Sequence, residues 1–136
     1  MRKIDKIIIH CSATPEGRAV TVEEIRKWHT SPPNNWNDIG YHYIITLDGK
    51  IHSGRPIATA GAHTVGHNAN SIGICYVGGT DSAGKPKDTR NDLQKSAMAQ
   101  LIHQLESQFP NATVHGHNEF ANKACPSFNV KKEFAV

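Results

Sequence analysis

Three consecutive isoleucines near the start of the chain, Ile7, Ile8 and Ile9, constrain the fold more than any other feature of the sequence. β-Branched residues favour strands, and a short unbroken apolar run is typical of a strand that is buried on both faces. We therefore predict a strand over residues 4–10, inside a sheet that carries helices on its faces. His10 stands at the C-terminal end of this strand.

Two segments have the signals of amphipathic helices. Thr21 and Glu24 form a capping box, and the apolar residues that follow share one face at helical spacing, which predicts a helix over residues 22–30. A longer apolar stripe, with a repeat of four residues, comprises Leu93, Ala97, Met98, Leu101, Ile102, Leu105 and Phe109. This stripe predicts a helix that starts near residue 89 or 91, packs on the sheet and ends before Pro110.

The remaining segments complete a mixed α/β pattern. Further strands are predicted over residues 41–47, 50–53, 71–77 and 112–115, and one or two helical turns over residues 127–134. Asp48 and Gly49, between the first two of these strands, are a strong hairpin signal. The order of the elements predicts a single α/β domain over residues 1–136, with a central mixed β-sheet flanked by helices.

The composition argues against several classes of protein. Of the 136 residues, 38% are hydrophobic and 20% are charged, which is typical of a globular rather than a disordered chain. No apolar run approaches the roughly 20 residues of a membrane span, and a net charge of +3, spread along the chain, gives little support for nucleic-acid binding.

Three scattered cysteines predict reduced thiols. Because the first residues lack the apolar core of a signal peptide, we expect synthesis in the cytoplasm without an export signal.

Two imidazoles and a thiol stand where predicted strands end. His10 ends the first strand, and His117 and Cys125 follow the last one. If these two strands are neighbours, the three side chains converge, and imidazole and thiolate are ligands that zinc prefers. Three protein ligands leave a fourth position for water or substrate, as in catalytic zinc sites. His115 competes with His117 as a ligand, and the spacing does not settle this choice.

Three further polar residues could assist a reaction at such a site. Lys123 could stabilise an oxyanion, Tyr41 could position or relay a proton, and Glu119 could orient a ligand or act as a base. Each has a simpler alternative: a solvated lysine, a packing tyrosine and a surface glutamate. The histidines interpreted as surface or core residues are His29, His52 and His103.

Five segments of the chain resemble the motifs of one enzyme family. They are IIIHCSAT (7–14), EIRKWH (24–29), WNDIGYHYIITLDG (36–49), NSIGICYVGG (70–79) and HNEFANKACPSF (117–128). In this order they resemble the zinc-dependent N-acetylmuramoyl-L-alanine amidases of the type 2 class, whose fold the peptidoglycan recognition proteins share. The resemblance covers nearly the whole chain, and five ordered motifs are far more specific than any single pair of residues.

The resemblance implies a zinc site and the residues that serve it. The implied ligands of Zn²⁺ are His10, His117 and Cys125, the implied catalytic residues are Tyr41 and Lys123, and the implied substrate contacts are His63 and Arg55. The family spacing that ends at Cys125 selects His117 over His115. Non-catalytic members of the wider family lack this cysteine, so its presence favours an enzyme over a pure binder.

The resemblance also implies a reaction and a partner. The reaction is hydrolysis of the amide bond between N-acetylmuramic acid and the L-alanine of the stem peptide, in bacterial peptidoglycan or its fragments. The protein would be a phage or prophage endolysin that acts on the cell wall after release. The alternatives are a peptidoglycan-binding or polymerase-binding regulatory protein with little or no turnover, and a structural zinc domain. An RNA polymerase partner follows only from family analogy, and no nucleic-acid partner or membrane insertion is expected.

Overall fold

A five-stranded mixed sheet forms the centre of the computed structural model, which describes residues 2–134. In chain order, the elements are β1 (Lys6–Cys11), β2 (Thr14–Pro15), α1 (Val22–Thr30), β3 (Tyr43–Ile45), β4 (Ile51–Ser53), β5 (Ser71–Tyr76), β6 (Gly79–Thr80), α2 (Asp92–Gln108), β7 (Thr113–Gly116) and α3 (Val130–Phe134). Short 3₁₀ turns lie at Asn68–Asn70 and His117–Glu119.

The strands of the central sheet lie in the order β4-β3-β5-β1-β7. β3, β5, β1 and β7 run parallel to one another, whereas the edge strand β4 runs antiparallel to β3. β2 and β6 form a separate parallel pair. The predicted α/β fold, a central mixed sheet with helices, is therefore confirmed.

The isoleucine run lies at the centre of the sheet, as predicted. Ile7, Ile8 and Ile9 are each 0% exposed, because β1 pairs with β5 on one side and β7 on the other. Side chains alternate between the two faces of a strand. Ile7 and Ile9 belong to the core that contains the apolar residues of α2, while a second core joins Ile44 of β3 to Ile25 of α1. Burial on both faces explains why an unbroken apolar run is tolerated here.

Several predicted boundaries are wrong by two residues or more. β1 starts at Lys6 rather than at residue 4 and includes Cys11. β3 is limited to Tyr43–Ile45, so Tyr41 lies in the irregular segment before the strand. That segment still forms backbone hydrogen bonds: the carbonyl of Tyr41 accepts the N–H of Arg55, which lies outside β4. β2 and β6 were not predicted, because two residues are too few to show a periodic pattern.

Helix α2 covers one face of the sheet with most of the predicted stripe. Ala97, Met98, Leu101, Ile102 and Leu105 are buried. Leu93, however, is 61% exposed, so its predicted burial is wrong. A repeat of four residues drifts by about 40° per step around a helix of 3.6 residues per turn, so the ends of a long stripe leave the buried face. No helix in residues 2–134 has both the length and the apolar character needed to span a membrane.

Gln94 connects the start of α2 to the ends of two strands. Its side chain is 0% exposed, and Nε2 donates to the carbonyl oxygens of Val77, at 2.9 Å, and Ile45, at 3.4 Å. Its Oε1 accepts the backbone N–H of Asn91, whose own side chain accepts the N–H of Gln94. The buried amide thus satisfies polar groups of both the sheet and the helix.

Replacing Gln94 with leucine is expected to lower the free energy of unfolding by about 1–3 kcal/mol, because buried carbonyl groups lose their donor. Urea denaturation followed by circular dichroism measures this loss. Gln104→Leu, at an exposed position of the same helix, is the matched control and should change the stability little. Equal midpoints for the two variants would show that the buried amide contributes nothing.

Candidate active site

The topology of the sheet brings two of the predicted ligands together. β1 and β7 are adjacent and parallel, and Ile9 of β1 is paired with Gly116 of β7. The next residue in each case is a histidine, His10 in β1 and His117 in the 3₁₀ turn after β7, so both lie at the C-terminal ends of these adjacent strands. Their ring centroids are 4.5 Å apart. The condition for convergence, that the two strands are neighbours, is therefore met.

Cys125 reaches the same place on the loop that follows β7. Its Sγ lies 3.9 Å from Nδ1 of His10 and accepts the backbone N–H of Cys11 at 3.2 Å. The loop is fixed by the hydroxyl of Tyr76, which donates to the carbonyl of Pro126 at 2.6 Å. The thiol is thus held beside the end of β1 by contacts with buried parts of the sheet.

The donor set fits a zinc ion. One ligand atom from each of His10, His117 and Cys125 lies within 4.8 Å of the others. A tetrahedral zinc site with bonds of about 2.0–2.3 Å places its ligand atoms roughly 3.5 Å apart, so only a small contraction is required. Two nitrogen donors and one sulfur donor match the types that zinc prefers, and three ligands leave one position open.

The electrostatics of the three side chains agree with metal binding. Burial, followed by the neighbouring His63, holds the pKa of His10 well below its usual value, and burial followed by Lys123 lowers the pKa of His117. Both imidazoles therefore stay neutral, as ligands must be. A hydrogen bond with Cys11, together with burial, raises the pKa of the Cys125 thiol, so a bound cation is what would stabilise its thiolate.

The structure places His117, and not His115, beside the other two donors. Both ring nitrogens of His115 are engaged elsewhere: Nδ1 lies 2.9 Å from Oε1 of Glu119, and Nε2 lies 2.6 Å from Oγ1 of Thr113. Glu119 also accepts the backbone N–H of Gly116 through Oε2, at 2.7 Å. Its carboxylate therefore stabilises the turn that carries His117 and is already occupied there.

A cavity of about 280 Å³ opens next to the three donors. Tyr41 and Lys123 both line it, and the ring of Tyr41 lies 5.1 Å from the ring of His10. Burial raises the pKa of Tyr41 well above its usual value, so its hydroxyl remains protonated. An adjoining groove of about 440 Å³ shares five lining residues with the cavity, namely Trp36, Ala62, His63, His117 and Lys123.

The two residues implied as substrate contacts have different surroundings. His63 lines both the cavity and the groove, but it is only 8% exposed, and burial lowers its pKa to about 3. Arg55 donates to three backbone carbonyls, those of Ile39, Ala60 and Asp38, at 3.0–3.2 Å. Its guanidinium thus holds loops behind the site together. A contact of either residue with substrate stays a prediction.

His29 was predicted to be a surface or core residue, but it lines the cavity. Its Nδ1 accepts the backbone N–H of Gly40 at 2.8 Å, and its ring packs against Trp36 and Tyr41 at centroid distances of 4.8 and 5.2 Å. Periodicity located His29 correctly on α1. Only the path of the following loop brings Trp36 and Tyr41 around it, and the one signal in the sequence was its place in the EIRKWH motif.

Known proteins resemble this chain along most of its length. Residues 1–128 match the family model described as N-acetylmuramoyl-L-alanine amidase. The endolysin of Escherichia phage T7 is 42% identical over 128 residues, which are 94% of this chain and 83% of that protein.

Two solved structures have the same fold. The N-acetylmuramoyl-L-alanine amidase LysC from Clostridium intestinale superposes with a TM-score of 0.82 at 25% identity, over 97% of this chain and 82% of that one. The complex of tracheal cytotoxin with the ectodomains of peptidoglycan recognition proteins LCa and LCx gives a TM-score of 0.76 at 26% identity, over 98% and 81%. This chain therefore belongs to the type 2 N-acetylmuramoyl-L-alanine amidase family.

Proposed function

We propose that this protein is a zinc-dependent peptidoglycan hydrolase that cleaves the amide bond between N-acetylmuramic acid and the L-alanine of the stem peptide. Residues 1–136 would form a single amidase catalytic domain. The observation that carries the proposal is the cluster of His10, His117 and Cys125, whose ligand atoms lie within 4.8 Å of one another at the wall of a cavity. The endolysin relative supports a role as a phage or prophage endolysin that acts on the bacterial cell wall.

His10, His117 and Cys125 are the residues that would hold the zinc ion. When bound, zinc supplies Lewis acidity, which polarises a carbonyl group and makes a water molecule more acidic. One thiolate and two neutral imidazoles reduce the net charge of such a centre to about +1, so it is a weaker Lewis acid than a site of three histidines. Other side chains must then stabilise part of the developing charge.

Tyr41 and Lys123, which both line the cavity, are the side chains proposed to do this. Burial keeps the hydroxyl of Tyr41 protonated, and as a donor at the wall of the cavity it would guide a proton between the water and the reacting amide. The ammonium of Lys123 lies at the exposed rim, where it can stabilise negative charge on the carbonyl oxygen.

The adjoining groove is proposed to bind the glycan and the stem peptide. Trp36, which is 36% exposed, gives the groove an aromatic surface next to Lys123 and His63. The structurally similar recognition-protein complex holds tracheal cytotoxin, which supports peptidoglycan or its fragments as the ligand class. The comparisons give no support for an RNA polymerase as a partner.

The variants Lys123→Met and Tyr41→Phe are each expected to lower kcat by about 10²–10³-fold, because each removes a donor to the charge that develops in the reaction. Zinc content should remain that of the wild type, since neither residue is a proposed ligand. Lys27→Met, at an exposed position of α1 away from the cavity, is the control and should retain activity. Rates on purified cell wall, with zinc content measured in parallel, test this prediction.

The proposed reaction is tested by digesting purified peptidoglycan with the protein, with and without a zinc chelator, and identifying the products by mass spectrometry. The expected products are free stem peptides that begin with L-alanine, together with uncut glycan chains, and the chelator should prevent their release. New reducing ends without free peptides would contradict the proposal. A binding protein without turnover would instead retain peptidoglycan after chelation and release nothing under any condition.

A further inference from the structure

Two buried histidines share a hydrogen bond behind the metal cluster. Nε2 of His10 lies 2.9 Å from Nδ1 of His63, and the two residues are 1% and 8% exposed. The rings meet edge to face, with an interplanar angle of 87°. Two neutral imidazoles form such a bond only if one donates its N–H and the other accepts with a bare nitrogen.

The position of Cys125 decides which ring donates. The second nitrogen of His10, Nδ1, lies 3.9 Å from Sγ of Cys125 and therefore faces the metal cluster. A nitrogen that binds a metal carries no proton, so the proton of a neutral His10 must be on Nε2. His63 then accepts at Nδ1 and carries its own proton on Nε2, which lies 3.2 Å from Oγ of Ser71.

We propose that His63 is a positioning residue for the metal ligand His10: it accepts the Nε2 proton of His10, so that Nδ1 of His10 is bare and aimed at the metal. This inference rests on the proposed zinc site. It differs from a direct contact with substrate, because both ring nitrogens of His63 are already engaged inside the protein. Hydrogen-bond partners of this kind fix the tautomer and orientation of a metal-binding imidazole.

The surrounding chain is built to hold the ring of His63. A Cβ atom at Gly73 would lie 2.7 Å from this ring, and a Cβ atom at Gly61 would lie 2.7 Å from its Cδ2. Any larger residue at either position would therefore displace the imidazole. Gly73 lies in β5 between Ile72 and Ile74, which are fully buried. The ring of His63 occupies the space that a side chain at position 73 would fill.

The backbone of His63 is fixed as well as its ring. Oδ1 of Asn68 accepts the backbone N–H groups of both His63 and Thr64, at 2.9 and 3.0 Å. The carbonyl of Asn68 in turn accepts from the guanidinium of Arg2 at 3.2 Å. Oγ1 of Thr64 lies 3.0 Å from Nδ1 of His63 and 3.3 Å from Nε2 of His10, so its hydroxyl adjoins this hydrogen bond, in which Nδ1 of His63 is the nearer partner of His10 at 2.9 Å. The backbone of His63, which carries the accepting Nδ1, is thus held by hydrogen bonds that do not involve a metal.

The test compares zinc affinities in His63→Leu and His63→Asn. Leucine removes the acceptor, and we expect zinc to bind about 10–100-fold more weakly. Asparagine places its Oδ1 near the position of the histidine Nδ1, so His63→Asn should recover most of the affinity. His103→Leu, on the exposed face of α2, is the matched control and should bind zinc as the wild type does. Competition with a chromophoric chelator measures all four proteins without any need for turnover.

Three results would overturn the inference. One is a wild-type zinc affinity in His63→Leu with a raised KM, which would identify His63 as a substrate contact. Another is an asparagine variant that binds zinc as weakly as the leucine variant, which would reduce the role of His63 to packing.

The third requires no variant and so does not depend on folding of the mutants. Long-range ¹H–¹⁵N correlation spectra of the zinc-loaded wild type should show a proton on Nε2 of His10, and a proton on Nδ1 would contradict the inference. A wild-type protein that binds no zinc would instead reject the proposed function.

Discussion

Replacing Cys125 with serine should lower the amidase activity by more than about 100-fold. This loss exceeds the one expected when a residue that only hydrogen-bonds to a metal ligand is removed. A serine hydroxyl is not ionised at neutral pH and is a poor ligand for zinc, whereas the thiolate is a preferred one. His10 and His117 would remain, but two imidazoles alone hold zinc weakly. Because Cys125 lies on a loop at the edge of the sheet, the strands should stay folded.

The measurements for this variant are zinc content after dialysis, peptide release from purified wall, and the far-ultraviolet circular dichroism spectrum. Cys75→Ser is the matched control: it makes the same change at a thiol that is fully buried in β5 and outside the ligand cluster. That protein should keep its zinc. A Cys125→Ser protein that binds zinc with wild-type affinity and releases peptides at the normal rate would show that the ligand assignment is wrong.

The fold could be predicted where a local pattern determines burial. The run of Ile7 to Ile9 identified a central strand, and the apolar stripe identified α2, whose expected start near residue 89 or 91 lies close to the observed start at Asp92. Prediction failed where the pattern depends on a neighbour in space. Tyr41 has the residue type of a strand, but β3 begins only at Tyr43, and the carbonyl of Tyr41 accepts the backbone N–H of Arg55, which lies beyond the end of β4.

The candidate site could be predicted by residue type but not by geometry. Histidines and a cysteine at strand ends suggested zinc, yet their convergence depends on the pairing of β1 with β7, which lie more than a hundred residues apart in sequence. The choice between His115 and His117 depends on Glu119, which binds Nδ1 of His115. The role inferred here for His63 depends on gaps at Gly61 and Gly73, which no periodicity reveals.

The second large effect is expected at Arg90, whose side chain is 1% exposed. Its guanidinium makes paired hydrogen bonds to Asp88, at 2.9 Å, and to Glu133 of α3, at 2.6 and 2.7 Å. It also lies 3.5 Å from the ring centre of Phe128, three residues after Cys125. This arginine therefore joins α3, the start of α2 and the loop that carries the proposed metal ligand Cys125.

Replacing Arg90 with methionine should lower the free energy of unfolding by about 3 kcal/mol at pH 7, the lower end of the range for breaking a buried ion pair. The lower end applies because the Asp88 and Glu133 side chains are 31% and 41% exposed, so water can partly solvate them. Urea denaturation measures this loss. Lys87→Met, which breaks an exposed ion pair with Glu16, is the control and should leave the stability nearly unchanged.

The pH dependence distinguishes loss of charge pairing from loss of packing at Arg90. Burial alone would raise the pKa of the Asp88 carboxyl, but the hydrogen bonds and charge of Arg90 outweigh it and lower that pKa. A lowered pKa in the folded state gives stability that is present above about pH 4 and is lost as the pH falls through the folded value. The stabilities of the wild type and Arg90→Met should therefore begin to approach each other as the pH falls below about 4, and converge once it is below the folded pKa of Asp88. A difference in stability between the two proteins that persists in acid would show that Arg90 acts by packing on Phe128. Equal stabilities at pH 7 would show that the ion pairs of Arg90 do not stabilise the protein.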